Sequence, residues 1–317
     1  MYNFRTKYLF GLIPISIYNE TATLESVILG TAHSMGGVPS LQDVYDPKSR
    51  SHIINGTYPK EVDMIQEMTA FETVLIKHGV RVYRPEILKK CNQIFTRDIG
   101  FVIENYFFKS NILPIRAPEL KAIEYILQQI DSNQVIEFEP HVHVEGGDVI
   151  LHNDYIFMGI YQGADYPEII TARTNIAAVK SLQNFFPNKK VVPFDLNKSV
   201  LEAHNNALHL DCCFQPVGSQ YAIIHPEGFT SDDQLQWLID FFGTENIHFI
   251  TKDEMYHMNS NVFSISPTVV VSDPSFDRLN NWLRSKQITV EEVSYTEISK
   301  QEGLFRCSTL PLKRNSK

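Results

Sequence analysis

Asp148-Val-Ile-Leu-His-Asn-Asp-Tyr-Ile-Phe-Met158 sets two short apolar runs on either side of Asn153-Asp154. Asn and Asp suit the tight turn of a hairpin, so the stretch reads as strand, turn, strand. Beyond it a helix is expected near Asn175 to Phe185, and Lys190-Val-Val-Pro-Phe194 reads as a third strand. The unit from 148 to 196 is therefore two strands, an amphipathic helix and a further strand.

Working outward, the unit recurs. Residues 98–138 carry Ile99-Gly-Phe-Val-Ile103, a turn at Glu104-Asn105, Tyr106-Phe-Phe108, a helix near Leu120 to Gln129, and Val135-Ile-Glu-Phe138. Residues 211–251 carry Cys212-Cys-Phe214, Tyr221-Ala-Ile-Ile224, a helix over Asp232 to Phe242, and Ile247-His-Phe-Ile250. Residues 261–295 carry Val262-Phe-Ser-Ile265, Thr268-Val-Val-Val271, a helix over Phe276 to Arg284 behind Asp273-Pro-Ser275, and Thr289-Val-Glu-Glu-Val293. Residues 25–90 open with Glu25-Ser-Val-Ile-Leu-Gly30, continue into a long helix from about Pro59 to His78, and end in Val80-Arg-Val-Tyr83. Copies at a spacing of roughly 45–65 residues signal a repeat architecture, in which each unit buries its apolar face on a neighbour. Five such units closing in a ring would bring equivalent strand ends to one axis. The alternative is an open α/β sheet, but no Gly-rich phosphate loop supports a nucleotide-binding sheet.

Composition narrows the function. The chain has 317 residues, 43% hydrophobic, enough for a folded core, and a formal charge of −9. That balance argues against nucleic acid or an anionic membrane as partner and is compatible with a small cationic substrate. No stretch of about 18 apolar residues could span a bilayer. Arg5 and Lys7 precede an apolar run, Tyr8 to Tyr18, that weakly resembles a signal peptide, but Pro14 interrupts it and no small-x-small cleavage site follows. Lys313, Arg314 and Lys317 read as a solvated end. Cys91, Cys212, Cys213 and Cys307 form neither a paired zinc spacing nor a disulfide scaffold, so a reducing, cytoplasmic setting is expected.

The polar outliers sit where units begin. They are Thr96-Arg97-Asp98, His143-Val-Glu145-Gly-Gly-Asp148, His209-Leu-Asp211, Asn259-Ser-Asn261 and, after the last strand, Phe305-Arg306-Cys307-Ser308-Thr309. A ring would converge them on one cavity. Singly each has a plainer reading: Cys307 as a small buried hydrophobe, Asp98 and Asp211 as turn caps, Gly146 and Gly147 as a backbone bend, and Arg173 as a surface ion pair. Cys212 and Cys213 read as packing residues on a strand. His141 and His143, with Glu145 and Asp148, admit a metal reading.

As an ordered set, the R-D pair at 97–98, E-G-G-D at 145–148, A-R-T-N at 172–175, H-L-D at 209–211 and R-C-S-T-L-P-L at 306–312 resemble the guanidino-group-modifying enzymes: arginine deiminases, dimethylarginine hydrolases and amidinotransferases. The resemblance runs from about residue 25 to the end. It implies a five-bladed α/β propeller, the pentein fold, in a single catalytic domain over 1–317, with the cysteine segment at 303–312. Two departures bear on the substrate: an apparent insertion from Tyr161 to Thr171, and a segment around Met35-Gly-Gly-Val-Pro-Ser40 that matches no substrate loop.

The chemistry fits these residue types. A guanidinium is cationic and a poor electrophile, and carboxylates grip its N–H groups. Asp98 and Asp211 are the candidates, with Asp148 nearby. Cys307 would attack the central carbon as a thiolate. His209 would protonate the leaving amine and then activate water, and Glu145 would orient His209. Arg173 would hold a substrate carboxylate. Neither metal nor organic cofactor is required. The expected activity is hydrolysis of a C–N bond in an arginine-like compound. The alternatives are an amidinotransferase and a non-catalytic propeller; a papain-like protease fits poorly, because Cys307 follows the histidine. Homo-oligomer formation stays open.

Overall fold

In a computed structural model describing residues 11–166 and 168–315, the repeat unit takes shape as five three-stranded sheets among the described residues. β1 (Thr23–Leu29) pairs in parallel with β2 (Arg81–Tyr83) across a crossover that holds α1 (Pro47–Ile54) and α2 (Glu61–Lys77). β3 (Gly100–Ile103) and β4 (Tyr106–Lys109) form a hairpin, and β5 (Val135–Glu137) joins β4 in parallel. The third blade repeats this with β6 (Val149–His152), β7 (Tyr155–Ile160), α3 (Ile176–Phe185) and β8 (Lys190–Asp195). The fourth uses β9 (Phe214–Val217), β10 (Tyr221–Ile224), α4 (Asp232–Phe242) and β11 (Ile247–Phe249). The fifth uses β12 (Phe263–Ser266), β13 (Val269–Ser272), α5 (Asp277–Ser285) and β14 (Thr289–Glu292). The architecture is the five-bladed α/β propeller expected from the repeats.

The first blade differs. Its third strand is β15 (Thr309–Asn315), which runs antiparallel to β1, so the two ends of the chain close the ring. The sequence gives no sign of this strand, because its partner lies nearly 300 residues upstream. The closure is consequential: Cys307 stands two residues before β15. Arg314, expected in a solvated tail, is buried, with Nη1 donating to Ala22 O at 2.6 Å and the guanidinium over the Phe263 ring. Lys313 pairs with Glu25 at 2.6 Å. Lys317 and the stretch from Arg5 to Phe10 lie outside the described residues, whereas Ile13, Ile15 and Ile17 pack into the core of the second and third blades.

Burial follows the logic of stacked repeats. One apolar cluster joins α2 and β1 to β12, β13 and α5; a second spans the second and third blades; a third joins the third and fourth. Two local expectations are corrected. The helix near Leu120 to Gln129 is two single turns, Pro118–Lys121 and Glu124–Leu127. Cys212 ends a 3-10 turn, Leu210–Cys212, and the strand begins at Phe214. Both cysteines are nonetheless buried, Cys212 in the first cluster and Cys213 in the third. No helix of the described residues is long and apolar enough to cross a membrane.

Candidate active site

The residues that open the blades meet at the centre. Asp98 precedes β3, Glu145 leads a 3-10 turn into β6, His209 leads another into β9, Asn261 precedes β12 and Cys307 precedes β15. His209 Nε2 is 2.9 Å from Glu145 Oε2, and His209 Nδ1 is 3.7 Å from Asp98 Oδ1. Cys307 Sγ stands 3.7 Å from Asp211 Oδ2 and 3.9 Å from Oδ1. The five residues Asp98, Glu145, His209, Asp211 and Cys307 are all at most 4% exposed. The pair Gly146-Gly147 is needed for close approach: a Cβ on Gly147 would sit 2.7 Å from the His209 ring, and one on Gly146 2.1 Å from Arg97 O. A side chain at either position would push the imidazole or the Asp98 segment out of place.

Each carboxylate expected to grip a guanidinium already holds one from the chain itself. Arg116 Nη1 donates to Asp98 Oδ2 at 2.7 Å, and Arg306 Nη1 donates to Asp211 Oδ2 at 2.7 Å. Arg116 is also paired with both oxygens of Glu119, and Arg306 with both oxygens of Glu20. The second oxygen of Asp98, Oδ1, is buried and has no hydrogen-bond partner among the described residues. A buried acceptor left unmatched is costly and marks a place where a ligand donor fits.

Two expected binding residues take other contacts. Asp148 Oδ1 accepts from Leu210 N at 2.8 Å and so pins the His209–Asp211 turn. Arg173 reaches the site, but Nη1 donates to Glu145 at 3.0 Å, Nη2 to Tyr45 O at 2.8 Å and Nε to Ile170 O at 2.6 Å. The Tyr45 ring lies beside the guanidinium groups of both Arg116 and Arg173. The Tyr161–Thr171 segment is fastened by Asp165, which meets His143 Nδ1 at 2.7 Å and accepts from Asn175 at 2.9 Å. His143 therefore belongs to that segment. Among the described residues, those that could hold an ion are instead Asp98, Glu145 and His209, whose ligand atoms lie within 4.8 Å of one another. There Glu145 Oε2 already receives His209 and Arg173.

The fields in the site follow from these contacts. Burial alone would strip the proton from His209, but Asp98, Asp148 and Glu145 outweigh it and lift the imidazole to about 9. Burial favours the acid form of Glu145, yet Arg173, His209 and Arg116 together hold it well below the usual carboxylate range. Burial, with Asp211 and Asp98 beside it, pushes the Cys307 thiol well above its ordinary range. These fields favour a protonated imidazole beside a neutral thiol.

Sequence reasoning passed over Arg116, Glu119, Glu20 and Tyr45. Arg116 and Glu119 are three residues apart beside a short helix, a spacing too common to single out. A cavity of about 320 Å³ is lined by Met35, Tyr45, Tyr58, Phe95, Arg116 and Glu119, among others. Arg116 touches both this cavity and Asp98. The Met35–Ser40 segment, which resisted assignment, thus contributes to a cavity wall beside the site.

Comparison with known proteins bears on the family and the fold. A Bacillus subtilis protein, YkgA, is 29% identical over 305 residues, covering 93% of this chain and 94% of its own. Arginine deiminase from Pediococcus pentosaceus is 27% identical over 209 residues, 54% of this chain and 47% of that enzyme, so the match spans about half of the relative. Among solved structures, the N-terminal domain of ArgZ, an arginine dihydrolase from cyanobacteria, superposes with a TM-score of 0.73 at 16% identity, covering 91% of this chain and 98% of that one. The inosamine-phosphate amidinotransferase of Streptomyces griseus gives 0.72 at 16% identity, covering 96% and 97%. At such identities these structures bear on the fold alone, and the fold is the pentein fold. The family described as N,N dimethylarginine dimethylhydrolase, eukaryotic, matches residues 56–314, and the chain belongs to that family, within the guanidino-group-modifying enzymes.

Proposed function

We propose that this protein hydrolyses an arginine-like guanidino compound through an amidino-cysteine on Cys307. The observation that carries the reading is the meeting of a buried thiol, a buried histidine held by Glu145 and an unmatched carboxylate oxygen, Asp98 Oδ1, with Asp211 against the sulfur. A substrate guanidinium between Asp98 and Asp211 supplies the missing donors. Its positive charge also cancels the field that keeps the proton on Cys307, so substrate binding releases that proton to solvent and leaves a thiolate, His209 staying protonated.

Sγ then bonds to the guanidinium carbon. His209 gives its proton to the departing nitrogen, the C–N bond breaks and the amine leaves. The now neutral His209 takes a proton from water, whose oxygen bonds to the same carbon. The C–S bond breaks, Cys307 departs as thiolate and a ureido product is released. Glu145 holds His209 by Nε2, which leaves Nδ1 for the proton transfers. Arg173 fixes Glu145 and ties it to the Tyr45 loop. Screening arginine, methylated arginines, agmatine and guanidino acids for ammonia, amine and ureido products tests the reading. Turnover of none of them, or turnover only with an amine acceptor present, contradicts it.

A further inference from the structure

We propose that Asn261 is a catalytic residue whose amide N–H steadies the Cys307 sulfur while that sulfur carries negative charge. The proposal rests on the Cys307 reading above and adds to it a group that touches the reacting atom.

Asn261 is fully buried where the fifth blade opens. Its Nδ2 stands 3.2 Å from Cys307 Sγ and 3.4 Å from Asp211 O. Its Oδ1 accepts from Leu304 N and from Cys307 N, each at 3.1 Å. The main chain binds it further, since Asn261 N donates to Met258 O and Arg306 N donates to Asn261 O. An amide's orientation is set by its hydrogen bonds. Turning this one over would aim two N–H groups at two backbone N–H donors, so the donor end must face the sulfur. The acceptor end alone would suffice to tie down the 304–307 turn, and a carboxylate could do as much. What an asparagine adds is the donor at Sγ.

That donor matters because burial and the two carboxylates of the site, Asp211 and Asp98, oppose a thiolate. Asp211 lies against it, 3.7 Å from Sγ, and Asp98 adds to the negative field, while Arg306 acts in the other direction. A hydrogen bond to a charged acceptor is stronger than one to a neutral acceptor. The Asn261 contact therefore favours the thiolate over the thiol, both before attack and when the sulfur leaves the amidino carbon.

The test uses Asn261→Asp, which keeps an acceptor for Leu304 N and Cys307 N but removes the donor, and Asn261→Leu, which removes both without adding charge. Folded protein is treated with iodoacetamide across the neutral pH range, and Cys307 alkylation is followed by peptide mass spectrometry alongside kcat and KM. A charge-assisted bond corresponds to one to two pH units of thiol ionisation, so both variants should alkylate Cys307 about 10- to 100-fold more slowly. Their kcat should fall by a similar factor, with KM changed less than about threefold. Asn261→Asp with wild-type alkylation rates overturns the proposal, whatever its kcat, and so does a folded Asn261→Leu with wild-type rates. If Asn261→Leu does not fold, Asn261→Asp decides alone. Cys307→Ser measured in parallel separates the two ideas: activity retained there removes the parent reading, and activity lost there with Asn261→Asp unaffected removes only this one.

Discussion

Arg306 and its chain neighbour Cys307 meet the same carboxylate: Arg306 Nη1 donates to Asp211 Oδ2 at 2.7 Å, and Cys307 Sγ lies 3.7 Å from that oxygen and 3.9 Å from Oδ1. Asp211 is thus both the counter-ion of a buried arginine and the wall of the thiol site. Asp98 is likewise held by a buried arginine: Arg116 takes one oxygen, and the other has no hydrogen-bond partner among the described residues.

This double use sets the expected result of neutralising either carboxylate. Asp98→Asn and Asp211→Asn each remove one charge-assisted contact to the substrate, worth about 1.5–3 kcal/mol, or about 10- to 150-fold in kcat/KM. Each also takes one of two carboxylate partners from a buried arginine, Arg116 keeping Glu119 and Arg306 keeping Glu20, so the melting temperature should fall too. Steady-state kinetics beside calorimetry checks both; undiminished kcat/KM in both variants would show that other groups hold the guanidinium.

The pH dependence follows from His209. Its imidazole is lifted to about 9 from an ordinary 6.5, so the acid needed by the leaving group is lost as pH rises through about 9. The same shift is a stability term: fully present below about 6.5, it disappears as pH rises through about 9. Wild-type kcat, which reads the substrate-bound state with Cys307 already ionised, should fall on that alkaline limb, and the melting temperature should fall more steeply there than in His209→Asn. Glu145→Gln removes one of the carboxylates that hold the proton and should draw the limb down by about one pH unit. An unmoved limb would detach Glu145 from His209.

Arg173 can be tested by choice of substrate. Its nitrogens donate to Glu145, Ile170 O and Tyr45 O. Arg173→Met should therefore lower kcat for substrates with and without a carboxylate alike, within about threefold of each other. A loss confined to the carboxylate-bearing substrate, seen as a raised KM, would restore the carboxylate clamp expected from the sequence.

Water is the expected acceptor. Ureido product should form at the same rate with or without glycine, ornithine or lysine in the assay. Strict dependence on an added amine, with a new guanidino compound as product, would make the protein an amidinotransferase while leaving the Cys307 step intact.

The blades were legible because each hairpin and helix is a local pattern: Tyr155–Ile160 and Ile176–Phe185 lie within a few residues of where the apolar runs put them. The pairing of β15 with β1 was not, since nothing near Thr309 signals a partner at Leu29. In the site, the ordered motifs pointed to Cys307, His209, Glu145, Asp98 and Asp211, which converge. They did not distinguish Asp148, which serves the Leu210 backbone. Nor did they reveal Arg116, whose role exists only because the ring brings it against Asp98. Sequence spacing carries local geometry well; it carries little about which buried charge meets which.

The central claim is the covalent bond between Cys307 and the substrate's amidino carbon. Enzyme turning over its identified substrate, quenched in acid and mapped by peptide mass spectrometry, tests it directly. The account predicts a substrate-derived amidino adduct on Cys307, absent from Cys91, Cys212 and Cys213, and no turnover in Cys307→Ser. Full turnover with Cys307 unmodified at every quench time, or an adduct on another residue, would contradict it.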